Sequence, residues 1–198
     1  MLKIVIEDNN ILFRAGMELY LRDFFVSHKQ MQVEFYDFTE ESVSQADIII
    51  KSFVAGETAF CQPTLNYRKK NSFILGVHTD ANSLKQSILP LCIKDIAYIN
   101  RSDSLCKIGD ILFKGFNRIK QEVPLRNCCN CKCVRLTQKQ SDLISMIVAG
   151  ASTHRIAIKL EISEKTVYAH KANLMARLGI RSECQLVRLL NTLNKQHY

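Results

Sequence analysis

The sequence predicts two modules of different class: an α/β unit over residues 1–120, built on a doubly wound parallel sheet, and an all-α unit of four helices over residues 136–198. Three observations predict this. Short β-branched runs alternate with helical spacings through the first part. Four capped helical patterns follow one another in the last part. The net charge also changes, from −1 over residues 1–117 to +6 over residues 134–198. A neutral module ahead of a basic one suits a regulatory part joined to a binder of polyanions, double-stranded DNA among them.

The elements follow in order. Lys3-Ile-Val-Ile-Glu7-Asp8 reads as a buried strand that ends in two acids. Ile11 to Phe25 has apolar residues at 12, 15, 16 and 19, the spacing of a helix. Gln32 to Phe35, Ile48 to Ile50, Phe73 to Val77 and Ala97 to Ile99 are further strands, and Ile108 to Ile119 closes the unit as a helix. Residues 121–135 carry Pro124 and Cys128-Cys129-Asn130-Cys131-Lys132-Cys133 with little periodicity, so they read as a cysteine-rich linker. Thr137 with Gln140 forms a capping box for the next helix, which Gly150 stops. Ser152 or Thr153 caps a short helix carrying Ile156, Ala157 and Leu160; Ser163 caps a third helix that ends at Gly179; Ser182 with Gln185 caps a fourth. The stripe Leu186, Leu189, Leu190 and Leu193 on that last helix supplies part of the core, and its remainder is expected to pair two copies.

Composition narrows the function classes. The chain has 198 residues, 47% apolar and 23% charged, ordinary for a chain that buries a core. No apolar run approaches the roughly 20 residues of a membrane span, and acids come too early in MLKIVIEDNN for a signal peptide. The expected location is the cytoplasm, with no membrane partner and with the eight cysteines reduced. Cys128, Cys129, Cys131 and Cys133 lack the two separated pairs of a structural zinc site. Two readings stay open for them: a linker without function, or a thiol sensor of redox state or soft metal, favoured by the neighbouring Arg126 and Lys132. No Cys-x-x-Cys opens a helix after a strand, which argues against a thiol oxidoreductase. No enzyme, cofactor or metal centre is expected.

Ser163 to Gly179 carries the most specific signal. At about 100° per residue, Val167, Leu174 and Leu178 share one arc, flanked by His170 and Lys171. Lys165, Tyr168, Ala169, Ala172, Asn173 and Ala176 fall on the other side, a narrow face with hydrogen-bonding groups that suits a DNA major groove. Lys165, Lys171 and Arg177, with the free N–H groups at the helix start, are expected on phosphates. Tyr168, Ala169, Ala172 and Asn173 are expected to face bases, with Asn173 reaching an adenine or a phosphate; His170 packs at the core edge or touches a phosphate.

Leu136-Thr137, Gly150-x-Ser152, Ile156-Ala157, Leu160, Ser163, Thr166-Val167, His170 and Leu178-Gly179-Ile180 stand in the order and spacing of the LuxR/NarL-type helix-turn-helix, which residues 136–198 resemble without a gap. The resemblance implies a four-helix DNA-binding domain whose third helix enters the major groove, Thr166 among its contacts, while the fourth pairs subunits over a two-fold operator. Five positions depart from the family pattern: Gln140, His154-Arg155, Tyr168 in place of the usual lysine, and Glu183 in place of the usual arginine.

The opening Lys3-Ile-Val-Ile-Glu7-Asp8 followed by Leu12-Phe13-Arg14-Ala15-Gly16 resembles a response-regulator receiver of the same family. In that family two acids hold Mg²⁺ and an aspartate takes a phosphoryl group. Here the resemblance places Ser52 at the acceptor, Gly76 at the switch Thr/Ser and Arg101 at the lysine. A serine does not form the acyl phosphate, so the expectation is a degenerate phosphorylation site, Glu7, Asp8, Ser52, Gly76 and Arg101, in a pseudo-receiver. Glu7 and Asp8 are expected as a weak Mg²⁺ site or a solvated surface pair. The implied protein resembles the auxiliary regulators of enteric bacteria. Such a protein regulates transcription without phosphorylation, as a homodimer or with a related LuxR-type regulator, and governs surface structures such as fimbriae. The competing expectation is an anti-regulator that captures a related regulator without binding DNA.

Overall fold

The computed structural model describes residues 1–78, 90–93, 96–119 and 136–196. The Cys128–Cys133 cluster and the linker at 121–135 lie outside the described residues. What is described falls into two compact units, one drawn from residues 1–53, 61–78 and 90–119 and the other from residues 54–60 and 136–196.

The first unit is a five-stranded parallel sheet in the order β2-β1-β3-β4-β5, formed by β1 (Leu2–Glu7), β2 (Val33–Tyr36), β3 (Ile48–Ser52), β4 (Phe73–His78) and β5 (Ala97–Asn100). This is the flavodoxin-like doubly wound order, which leaves functional groups at the carboxyl ends of the strands. β4 is buried along its whole length, and so is β3 up to Ser52, as a parallel sheet covered on both faces requires. Helix α1 (Ile11–Lys29) starts where the Asn10 side chain accepts the Phe13 N–H. It runs four residues past Phe25, the end expected from its apolar spacing, and stops at Gln30, a left-handed residue whose N–H returns to Phe25 and Val26 carbonyls. Met17, Leu21, Phe24 and Phe25 of α1 join Ile4, Ile6, Ile48, Ile50 and Leu75 of the sheet and Ile108 and Leu112 of α3 (Leu105–Ile119) in one core. A short helix, α2 (Glu40–Gln45), is absent from the sequence reading. It has one buried apolar residue, Val43, too few for periodicity, and is held by a Thr39–Ser42 capping box.

The second unit contains α4 (Gln138–Val148), α5 (Thr153–Lys159), α6 (Glu164–Leu178) and α7 (Glu183–Gln196). Its helix starts carry the expected caps: Thr137 with Gln140, Ser152 and Ser163. Ser182 accepts the Gln185 N–H at 3.3 Å, while the Gln185 side chain accepts the Arg181 N–H at 2.9 Å, so the reciprocal bond closes one residue early. Gly179 stops α6 at φ 69°, a left-handed conformation that a side chain would strain. Leu143, Ile156, Ala157 and Val167 form one core cluster. Leu174, Leu178, Ile180, Leu186, Leu189 and Leu190 form another, with Val54, Ala55, Ala59, Phe60 and Leu193 packed against it. The stripe expected to serve pairing is thereby largely consumed inside the unit: Leu186, Leu189 and Leu190 are buried and Leu193 is half-buried. The outer face of α7 presents Val187, Arg188 and Asn191 instead. Among the described residues no helix is long and apolar enough to cross a membrane.

Candidate nucleic-acid interface and the acidic end of the sheet

Helix α6 is held from below by Val167, Leu174 and Leu178, all buried, the same three residues its periodicity assigned to the core. The opposite face is open. Lys165, Tyr168, Ala169, Ala172, Asn173, Ala176 and Arg177 are exposed, and Thr166, His170 and Lys171 are half-buried at its borders. Ser163 accepts the Thr166 N–H at 3.1 Å, and its hydroxyl meets that of Thr166 at 2.8 Å, so Thr166 is occupied in the cap. His154 lies 2.8 Å from Glu164 and ties the start of α6 to α5.

Lys171 is placed differently from its neighbours. Its ammonium donates to Glu183 of α7 at 2.7 Å, and its side chain is only 11% exposed, with the charge 5.7 Å from the Tyr168 ring centre. Glu183 thus takes up a cation on the edge of the open face. Sequence reading noted Glu183 as a departure but missed this pairing; the signal was an acid opening the helix after Gly179, within reach of a lysine two turns before the stop.

At the carboxyl ends of the other unit's strands, Asp8, Ser52 and Arg101 come together from the ends of β1, β3 and β5, while Glu7 pairs separately with Lys51. The Ser52 hydroxyl donates to Asp8, and the Arg101 guanidinium donates to Asp8 at 2.6 Å and to Ser52 at 3.3 Å while lying 4.4 Å over the Phe13 ring. Lys51, 1% exposed, pairs with Glu7, and its ammonium lies 5.1 Å from the Phe38 ring centre and 5.3 Å from that of Phe53. The sequence places Lys51 in the run of residues 47–52 but gives no sign of its partner, since the pairing with Glu7 is made across two strands. The strand continues to Ser52 and carries the lysine inside.

Two expectations are corrected here. Glu7 and Asp8 are not a solvated pair, since the Asp8 side chain is buried and each acid has its own cation. Gly76 stands opposite Lys51 and Tyr98, and the residue opposite Ser52 is Val77. The register therefore puts Val77, not Gly76, level with Ser52; neither carries a hydroxyl. A side chain at Gly76 would place its first carbon 2.6 Å from the Tyr98 ring, which is why glycine sits there. The set does not fit a divalent cation: two carboxylates are already matched by Lys51 and Arg101, and an added ion would face two positive charges at close range.

Residues 134–190 match the family described as bacterial regulatory proteins, luxR family. The transcriptional regulatory protein UhpA of Escherichia coli K12 is 36% identical over 53 residues, 27% of this chain and 27% of that protein. FixJ of Rhizobium meliloti is 39% identical over 54 residues, 27% of this chain and 26% of that protein. The matched stretch thus spans about a quarter of the length of these curated relatives. In solved structures, RcsB of Salmonella enterica serovar Typhimurium bound to promoter P1flhDC superposes with a TM-score of 0.64 at 14% identity, over 97% of this chain and 98% of that one. An RcsB–DNA complex superposes at 0.57 and 17% identity, over 96% and 98%. These likenesses bear on fold across both units, and the sequence match bears on the C-terminal one. The C-terminal region is therefore a LuxR-type helix-turn-helix domain, carried in a chain whose N-terminal region has the receiver-like fold of response regulators.

Proposed function

We propose that this protein is a cytoplasmic, sequence-specific DNA-binding regulator of transcription that works without phosphorylation of its own chain. In this reading residues 1–120 are a pseudo-receiver, 121–135 a linker and 136–198 the DNA-binding domain, and no step is enzymatic. The observation that carries it is the open face of α6, where Lys165, Tyr168, Ala169, Ala172, Asn173 and Arg177 project together while Val167, Leu174 and Leu178 hold the helix down. Lys165 and Arg177 meet phosphates, Tyr168, Ala169, Ala172 and Asn173 read bases, and Thr166 and His170 border the contact. Independence from phosphate rests on Ser52 at the acceptor position and on the carboxylates paired with Lys51 and Arg101.

Pairing, with a second copy or a related LuxR-type regulator, is assigned to α7, where Val187 and Leu193 are the apolar residues that the Leu186, Leu189 and Leu190 core leaves over. Control of surface structures such as fimbriae is the regulatory task this reading extends to. The anti-regulator alternative draws on Lys171, whose pairing with Glu183 removes a cation from the DNA face. The two are separated by fluorescence anisotropy of the full chain on genomic fragments that it selects. The expected result is direct, salt-sensitive binding that a small phosphodonor with Mg²⁺ leaves unchanged. No DNA binding by this chain, together with loss of a related regulator's DNA binding when this chain is added, favours the alternative. Enhancement by the phosphodonor that disappears in Asp8→Ala overturns phosphate independence.

A further inference from the structure

The first unit brings together two cysteines that are distant in sequence. Cys61 lies just before the 3₁₀ turn Pro63–Tyr67, and Cys92 lies within the 3₁₀ turn Leu91–Ile93 that precedes β5. Their sulfurs are 3.9 Å apart, in van der Waals contact. The Gln62 N–H donates to the Cys92 sulfur at 3.4 Å, so the backbone next to one thiol grips the other. Cys92 is buried and Cys61 half-buried, which gives one thiol open to a small reagent and one shielded behind it. Among the described residues these are the two cysteines that stand thiol to thiol; Cys106 and Cys184 are exposed on helices.

We infer that Cys61 and Cys92 are a peroxide-responsive disulfide site. Bond formation requires the sulfurs to close by ~1.9 Å, to the S–S bond length of about 2.0 Å, a distance covered by side-chain rotation in two turns already in contact. The Cys61 thiolate attacks a peroxide oxygen; an S–O bond forms, the O–O bond breaks, and the departing oxygen leaves as water or alcohol. The Cys92 thiolate then attacks the sulfenic sulfur; the S–S bond forms, the S–O bond breaks, and hydroxide leaves and takes a proton to become water. Two thiols give up two electrons and two protons, and hydrogen peroxide becomes two waters. The product ties the chain ahead of β4 to the turn ahead of β5 and closes the loop that contains β4. The site uses none of the α6 residues and none of Asp8, Ser52 and Arg101, and stands whether or not the chain binds DNA.

The test is peptide mapping of the full chain after exposure to hydrogen peroxide under native conditions, with remaining thiols blocked during unfolding. The expected product is a Cys61 peptide joined to a Cys92 peptide, lighter by two hydrogens and released by dithiothreitol. Thermal unfolding of the oxidised chain should rise by on the order of ten degrees, a shift absent from Cys61→Ser and Cys92→Ser. The mapping uses the wild-type chain and so does not depend on the variants folding. The inference is overturned by any of three results: Cys61 and Cys92 alkylated in full at doses that oxidise Cys106 and Cys184, Cys61 carried to sulfinic acid unlinked, or Cys61 joined to a cysteine other than Cys92.

Discussion

Tyr98 shows how one residue connects sheet packing to a measurable titration. It lies on β5 with its ring against the backbone of Gly76, and its hydroxyl is buried with no hydrogen-bond partner among the described residues. Burial first, and then the charge of Cys92, push its pKa up to about 12. The folded chain therefore keeps this proton where an unfolded tyrosine, with a pKa of about 10, releases it. Between about pH 10 and about pH 12 the folded state holds more protons than the unfolded state, so stability falls as pH rises through that window. Tyr98→Phe should remove this part of the alkaline decline, while below pH 10 it should cost little because no hydrogen bond is lost. Urea unfolding of both proteins across alkaline pH measures both effects. At this scale it was the resemblance to a receiver that put Asp8, Ser52 and Arg101 at one site, and these three side chains do meet. It did not identify the partner of Lys51 or the Gly76–Val77 register, because what lies across the sheet is set by strand pairing, which no local pattern encodes.

At the scale of the element, α6 was the most legible part of the chain. Its cap, stop and buried arc all follow from local rules, since the residues that matter lie within a few turns of one another. What escaped was the reach of α7 toward it. Glu183 binds Lys171 across the two helices, and that contact depends on how the helices pack. It leads to a prediction of direction as well as size. Glu183→Gln removes a negative charge near the open face of α6 and releases the lysine, so, on the proposed function, DNA affinity should rise several-fold at low salt and the dependence of log Kd on log salt should steepen by about one phosphate contact. Lys171→Ala, by contrast, should change affinity less than Lys165→Ala. Equal losses from the two lysines in a salt titration by anisotropy would mean that Lys171 leaves Glu183 when DNA arrives. The expected twin-copy stripe was misjudged for the same reason: a leucine pattern shows that a face is covered, and only packing shows by what.

For the whole molecule, the division into a neutral and a basic part was visible in charge alone, and the alternation of strands and helices gave the class of each part. The placement of residues 54–60 with the C-terminal unit was not visible, since nothing in their composition sets them apart. The charge asymmetry makes a prediction for the intact chain: with Lys165 and Arg177 of each copy on phosphates, affinity for any DNA should drop by roughly tenfold per bound copy between 50 and 200 mM salt, and site preference should persist. Anisotropy titrations on matched and mismatched duplexes check this. Lys51 has a consequence of another kind. A dissolved ion at a carboxylate site comes and goes with its concentration, and a domain built around it can report that concentration. A cation attached to the chain has no dissociation rate. Paired with Glu7 and lying over two aromatic rings, it is a counter-charge that no chelator removes and no dilution weakens.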